Sequence, residues 1–279
     1  MKHDLQVLAR YVGCAIAIAA TWLGTITHTS AQVKTAPALA PVNVTAKANR
    51  DAVEKSYRKM ISGVDLFENE RAMAPNAALR FKLLPRRRET NMNNIDLAVV
   101  GQTVEFAMRI APDYTFALPR NAQALAEDAQ VIPNRKAQSM TWRTDIRTPG
   151  LLPNTRRLGD LRLECRVGMQ AGLVSNRGGL IGWIAGALAD TPSYCDDKAP
   201  QYLFFADRAL FSVTLVAGAR REILPITKLY ANASDDPNLA KDLPDCDCEV
   251  LIDRTYFLPL GDRSWPDDAL VEFEDMEGE

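Results

Sequence analysis

The chain has 279 residues, 47% hydrophobic and 24% charged, with a formal net charge of −2, which is enough apolar matter to bury the core of one large or two small domains. Its only two histidines, His3 and His28, lie in the first 31 residues. Loss of that segment would exclude Ser-His-Asp and Cys-His catalysis and histidine-ligated zinc, and the negative total charge of an exported chain argues against nucleic acid as a partner.

Residues 1–31 have the three parts of a cleavable export signal. Lys2 and Arg10 precede an apolar run from Tyr11 to Ile26, and Thr29-Ser30-Ala31 supplies small residues before the cut. The run is shorter than the ~20 residues of a spanning helix. The expected mature chain therefore starts near Gln32 and is periplasmic or secreted. Residues 32–46, rich in Ala, Pro, Val and Thr, read as a flexible leader.

From Lys47 to Met60, Val53, Tyr57 and Met60 share one helical face and Arg50, Glu54, Lys55 and Arg58 the other, predicting a short helix. The period then changes to two. Strands are predicted over Leu79–Leu84, over Ile95–Val100 and Thr103–Ile110 as a hairpin about Gly101-Gln102, and over Tyr114–Leu118. Alternation predicts half-buried strands over Met140–Arg147 and Leu161–Val167. Further strands are predicted over Tyr202–Phe205, Leu210–Val216, Arg221–Ile226, Glu249–Leu258 and Leu270–Phe273, with turns at Asp207-Arg208 and Gly218. Strands at this spacing, without regularly alternating helices, predict a mainly β chain: an antiparallel β-sandwich with one or two short helices after the signal helix. The expected organisation is a β-sandwich-like domain over 47–168. A second β-rich half over 169–279 follows, with a glycine-rich apolar helix and an acidic C-terminus.

The stretches Ile61-Ser62-Gly63-Val64, Ala74 to Phe81 and Tyr114-Thr115-Phe116-Ala117-Leu118-Pro119 resemble the strand, turn and F-x-L-P rhythm of transthyretin-like or carboxypeptidase-regulatory-like β-sandwich modules. The resemblance covers about residues 60–118, reaching toward 167. It implies architecture only, since such modules are binding or scaffolding units without catalytic residues to carry over.

Four cysteines remain in the expected mature chain. Cys246 and Cys248 stand two apart, where a mutual bridge would be strained, so each is expected to bridge to Cys165 or Cys195, in an open order. Charge is unevenly divided: residues 32–234 hold 28 basic and 19 acidic side chains, residues 235–279 hold 3 and 15. The basic body suggests an anion site. Arg86, Arg87, Arg88, Arg120, Arg135 and Arg156 follow recurring apolar-Pro steps, and at one rim their guanidinium groups would hold carboxylate or phosphate. The alternative is that each faces water. Asp245, Asp247 and Glu249 would share a strand face suited to a hard cation such as calcium, against a plain solvated acidic loop. No other cofactor is called for. Gly178, Gly182 and Gly186 recur every four residues in an apolar run, a bare ridge for close helix packing or shallow membrane association.

No nucleophile elbow, phosphate loop or dinucleotide fingerprint is present. The expected function is thus a non-enzymatic envelope protein acting by binding or structural interaction, its partner an anionic glycan, a lipid headgroup or a protein. One alternative is a glycan hydrolase using paired carboxylates, with Asp253 and Asp267 or Asp268 beside a sugar-stacking Trp265. The other is a membrane-associated interaction protein using the glycine-ridged segment.

Overall fold

Ser56 sets the first helix. Its side-chain oxygen accepts the Lys59 amide, capping α1 (Tyr57–Asn69), and the stripe Tyr57, Met60, Ile61 and Phe67 is buried beneath it. The structure, a computed structural model, describes residues 54–136, 139–173, 191–196, 202–230 and 251–276. The helix expected over 47–60 is therefore displaced along the chain, and Ile61–Val64, a strand in the family resemblance, lies inside α1. The signal, the leader, the glycine ridge and the whole of 231–250 fall outside the described residues.

The described chain is mostly β, in antiparallel sheets, with three helices. Before α1 lies the two-residue β1 (Lys55–Ser56); after it come β2 (Ala78–Pro85), β3 (Leu97–Val100), β4 (Glu105–Met108) and β5 (Thr115–Phe116). A short α2 (Ala122–Ala126) leads to β6 (Gln130–Pro133), β7 (Met140–Arg147) and β8 (Thr155–Arg157), then to α3 (Leu158–Gln170). The remaining strands are β9 (Phe204–Phe205), β10 (Leu210–Ala217), β11 (Arg220–Ile223), β12 (Thr255–Tyr256) and β13 (Leu270–Asp275). The sheets run β5-β2-β7, β1-β6-β3-β4, β11-β10-β13-β8 and β12-β9. The hairpin about Gly101-Gln102 forms as β3–β4, and Gly218, at φ +59°, turns β10 into β11.

Three of the predicted strands need correction, the one expected over Glu249–Leu258 being reduced to Thr255–Tyr256 after a 3₁₀ turn at Ile252–Arg254. Met140–Arg147 is buried on both faces rather than half-buried, because it lies between β2 on one side and α3 across its face. Leu161–Val167 is not a strand at all but the middle of α3. Its apolar residues serve helical neighbours: Leu158, Leu161, Cys165 and Met169 join the core that holds Phe204, Val213 and Trp265, whereas Leu163 and Val167 meet Phe67 and Ile146. Burial all round this helix hides the 3.6-residue period that an exposed helix would show. Position 168/169, the expected domain boundary, falls within it. Gly63 on α1 permits the approach of α3, since a Cβ there would stand 2.8 Å from that of Ala171.

The disulfide expectation is also corrected. Cys165 is bridged to Cys195, with Cα atoms 6.1 Å apart. The helical conformation of α3 turns Cys165 toward the 3₁₀ turn Pro192–Asp196, so neither of these two cysteines is left to reach Cys246 or Cys248, which lie outside the described residues. Arg166 fastens the same turn by pairing with both Glu70 and Asp196.

Candidate functional site

β7 ends at Arg147, and the loop 148–154 carries the chain across to β8, turning at Gly150 (φ +82°) and Asn154 (φ 57°). Beneath this loop is an open pocket of about 210 Å³, walled by residues 147–156 except Pro149, by 205–208, and by Asp160, Tyr256, Phe273 and Asp275. A smaller pocket of about 20 Å³ adjoins it and shares Arg147, Arg156, Phe205 and Ala206.

Arg156 is the inner polar group. On β8 it stands opposite Val271, whose side chain is fully buried, and it shares that inward face. Its Nη2 donates to Glu164 and to the Ile146 carbonyl, both at 2.7 Å, while its Nε has no hydrogen-bond partner. Glu164, on α3, also accepts the Ile146 amide at 3.1 Å. Burial pushes the Glu164 carboxyl above its ordinary range, and the adjacent guanidinium pulls it only part of the way back.

Asp160 sits one turn before Glu164 on α3. Its carboxylate accepts the Thr148 amide at 2.7 Å and the Thr148 hydroxyl at 2.9 Å, so it anchors the start of the loop. Burial raises its pKa, against the pull of those two hydrogen bonds. Asp207 has the opposite fate. Burial works against its charge, but Lys82 at 2.7 Å and Arg147 at 2.9 Å overcome it and hold the carboxyl well below the usual range. Arg147 also pairs with Asp145 on its own strand at 2.8 Å, so its bond to Asp207 ties β7 to the turn after β9. At the outer wall Asp275 accepts from Asn154 at 2.8 Å and faces Arg208 at 3.7 Å.

The apolar part of the wall is Leu151, Leu152, Pro153 and Ala206 together with the aromatic residues Phe205, Tyr256 and Phe273. Phe204, Tyr256 and Phe273 form a run of ring contacts, with centroids 5.3 and 5.1 Å apart, and Phe205 beside them carries the Arg143 guanidinium at 4.9 Å. The Tyr256 hydroxyl is pushed far up by burial and stays protonated.

The arginines singled out in the sequence are dispersed over several elements. Arg156 is interior rather than on a rim, because the inward face of β8 claims it. Arg120 pairs with Asp65 on α1 at 2.5 Å, and Arg135 donates to the backbone carbonyls of Asn91 and Asn93. Arg86 to Arg88 follow the end of β2, where the Arg86 amide bonds Ser139. Asp245, Asp247 and Glu249 lie outside the described residues. The carboxylates suggested for hydrolysis are placed apart from the pocket. Asp253 is in the 3₁₀ turn Ile252–Arg254 rather than on a strand, and Asp267 is held by Arg162 at 2.5 Å. Asp268 is exposed beside it. Trp265 is only 1% exposed, with the Arg220 guanidinium 3.6 Å from its ring centroid, so it has no open face for a sugar.

Asp160, Glu164, Arg147 and Asp207 were not singled out by sequence reasoning. The signal for the first two was the i, i+4 spacing of carboxylates along a helix, concealed while 161–167 was read as a strand. Compared with known proteins, the chain matches no family model, no curated protein and no solved structure.

Proposed function

We propose that the mature chain is an exported protein of the cell envelope that acts by binding, with the pocket under the 148–154 loop as its ligand site and its antiparallel sheets arranged as a sandwich. One observation carries the reading. An open pocket of about 210 Å³ places the rings of Phe205 and Phe273 against the polar side chains of Arg147, Asn154, Asp207, Arg208 and Asp275. The Cys165–Cys195 bridge supports export, because disulfides persist in oxidising compartments. Sequencing the protein recovered from periplasm or medium should give an N-terminus near Gln32. Hydrogen exchange of that protein, with and without envelope extract, should slow at 148–156 and 205–208; slowing confined to other regions would overturn the choice of pocket.

A second reading, glycan hydrolysis, is favoured by Asp160 and Asp207. They line one pocket, and their environments push their pKa values in opposite directions, as acid and base roles require. Asp160→Asn and Asp207→Asn should each abolish glycan cleavage on this reading, and the wild-type protein's failure to cleave glycans that it binds would leave binding alone.

A further inference from the structure

We propose that the pocket takes one uncharged sugar ring, an inference that rests on the pocket being the ligand site. The first ground is charge. Its walls hold the cations Arg147, Arg156 and Arg208 and the anions Asp160, Asp207 and Asp275, in equal number. Arg147 already pairs with Asp207, and Arg208 stands 3.7 Å from Asp275. An entering ion of either sign meets no net attraction and must still give up its hydration, which disfavours phosphates, free carboxylates and amines.

The second ground is the alternation of donors and acceptors. A hydroxyl group gives one hydrogen bond and accepts two. Arg147 beside Asp207, and Asn154 and Arg208 beside Asp275, offer donor and acceptor side by side, so a single hydroxyl can give its proton to the carboxylate while accepting from the neighbouring nitrogen. Neighbouring hydroxyls on a pyranose repeat that demand around the ring. The third ground is the pair of half-buried rings Phe205 and Phe273 on the wall, against which the C–H faces of a sugar pack without competing for polar groups.

Size agrees. A cavity of about 150 Å³ accommodates benzene, so about 210 Å³ accommodates one substituted six-membered ring. The pocket is open, and Leu152 at its wall is 77% exposed. A ring at the end of a longer glycan and a free monosaccharide both satisfy this chemistry.

The test is ligand-observed NMR and calorimetry on the full mature chain. The probes are glucose, galactose and N-acetylglucosamine, the N-acetylglucosamine trimer, the charged rings glucuronic acid and glucosamine, and the dipeptide Ala-Ala. At least one neutral monosaccharide should bind, with affinity unchanged between low and high salt, and ahead of both charged rings. Arg208→Ala, at a side chain 60% exposed, and Asp275→Asn should each weaken binding about tenfold, equivalent to about 1.4 kcal/mol. Tighter binding of the trimer than of the monosaccharide identifies a glycan end as the source, and equal binding identifies the free sugar. Preference for a charged ring or for Ala-Ala, a salt-dependent affinity, or an Arg208→Ala variant of wild-type affinity overturns the inference. If no sugar binds while envelope extract still slows exchange at 148–156, the sugar is refuted and the pocket stands; if extract slows exchange only elsewhere, the pocket itself is refuted.

Discussion

Replacing Arg156 by Met removes the only described cation bonded to Glu164 and leaves a fully buried carboxylate. The side chain kept is of similar length, so the change is chiefly electrical. Breaking a buried pair from one side costs about 3–5 kcal/mol, and the Ile146 carbonyl loses its Nη2 donor as well, which places the expected loss in the upper half of that range. With a urea m-value of about 3 kcal/mol/M, a loss of about 4 kcal/mol lowers the unfolding midpoint by about 1.3 M. The pH dependence has a definite sign. Glu164 already has a raised folded pKa, and losing Arg156 raises it further, so the folded variant holds a proton that the unfolded chain releases above about 4.3. Its stability deficit should therefore be small near that pH and grow as pH rises to neutrality and above. Arg156→Met combined with Glu164→Gln should recover most of the loss at neutral pH, since glutamine still accepts the Ile146 amide without charge. Urea titrations of the three proteins at acidic and neutral pH decide it. A neutral-pH cost below about 1 kcal/mol, or a cost that does not change with pH and adds without coupling in the double variant, would refute the account of a buried, mutually compensated pair.

Removing the disulfide by Cys195→Ala with Cys165→Ala should cost about 3–4 kcal/mol, from a closed loop of sequence separation 30; non-reducing peptide mapping should first show Cys165 linked to Cys195. Glu127 accepts from Gln102, Thr103 and Gln123 at the β3–β4 turn, and the Thr103 hydrogen bonds hold its carboxyl down to about 2. Its NMR titration should therefore centre near 2, and the support it gives should be complete above the unfolded carboxyl pKa and lost as pH falls through about 2. Gly101→Ala should abolish that low titration, because a Cβ there would come within 2.2 Å of the Glu127 carboxylate. Arg220→Ala should uncover the Trp265 ring and increase quenching of its fluorescence by acrylamide, with a stability loss of about 0.5–2 kcal/mol; unchanged quenching would mean that the guanidinium does not cover the ring in solution.

Local pattern alone decided much of this chain. Alternation placed β2, β10 and β13, and Gly101-Gln102 and Gly218 marked the β3–β4 and β10–β11 turns, because a strand with one wet face and a backbone needing a tight reversal leave their demands in adjacent residues. That signal vanishes where an element is buried on every side. α3 has Asp160, Arg162 and Glu164 inside along with its leucines, so its hydrophobic period cannot report its conformation, and with the helix misread the disulfide and the pocket went with it. The site is likewise a product of packing. Arg156, Glu164 and Asp160 come from β8 and α3, Arg147 from β7, Asp207 from the turn after β9 and Asp275 from the end of β13, separations in sequence that no spacing rule connects. Arg156, Asp160 and Glu164 are tolerated in the interior only because a partner of opposite charge or a backbone amide stands within hydrogen-bonding distance, and which partner that is depends on how helix and sheets come together in three dimensions.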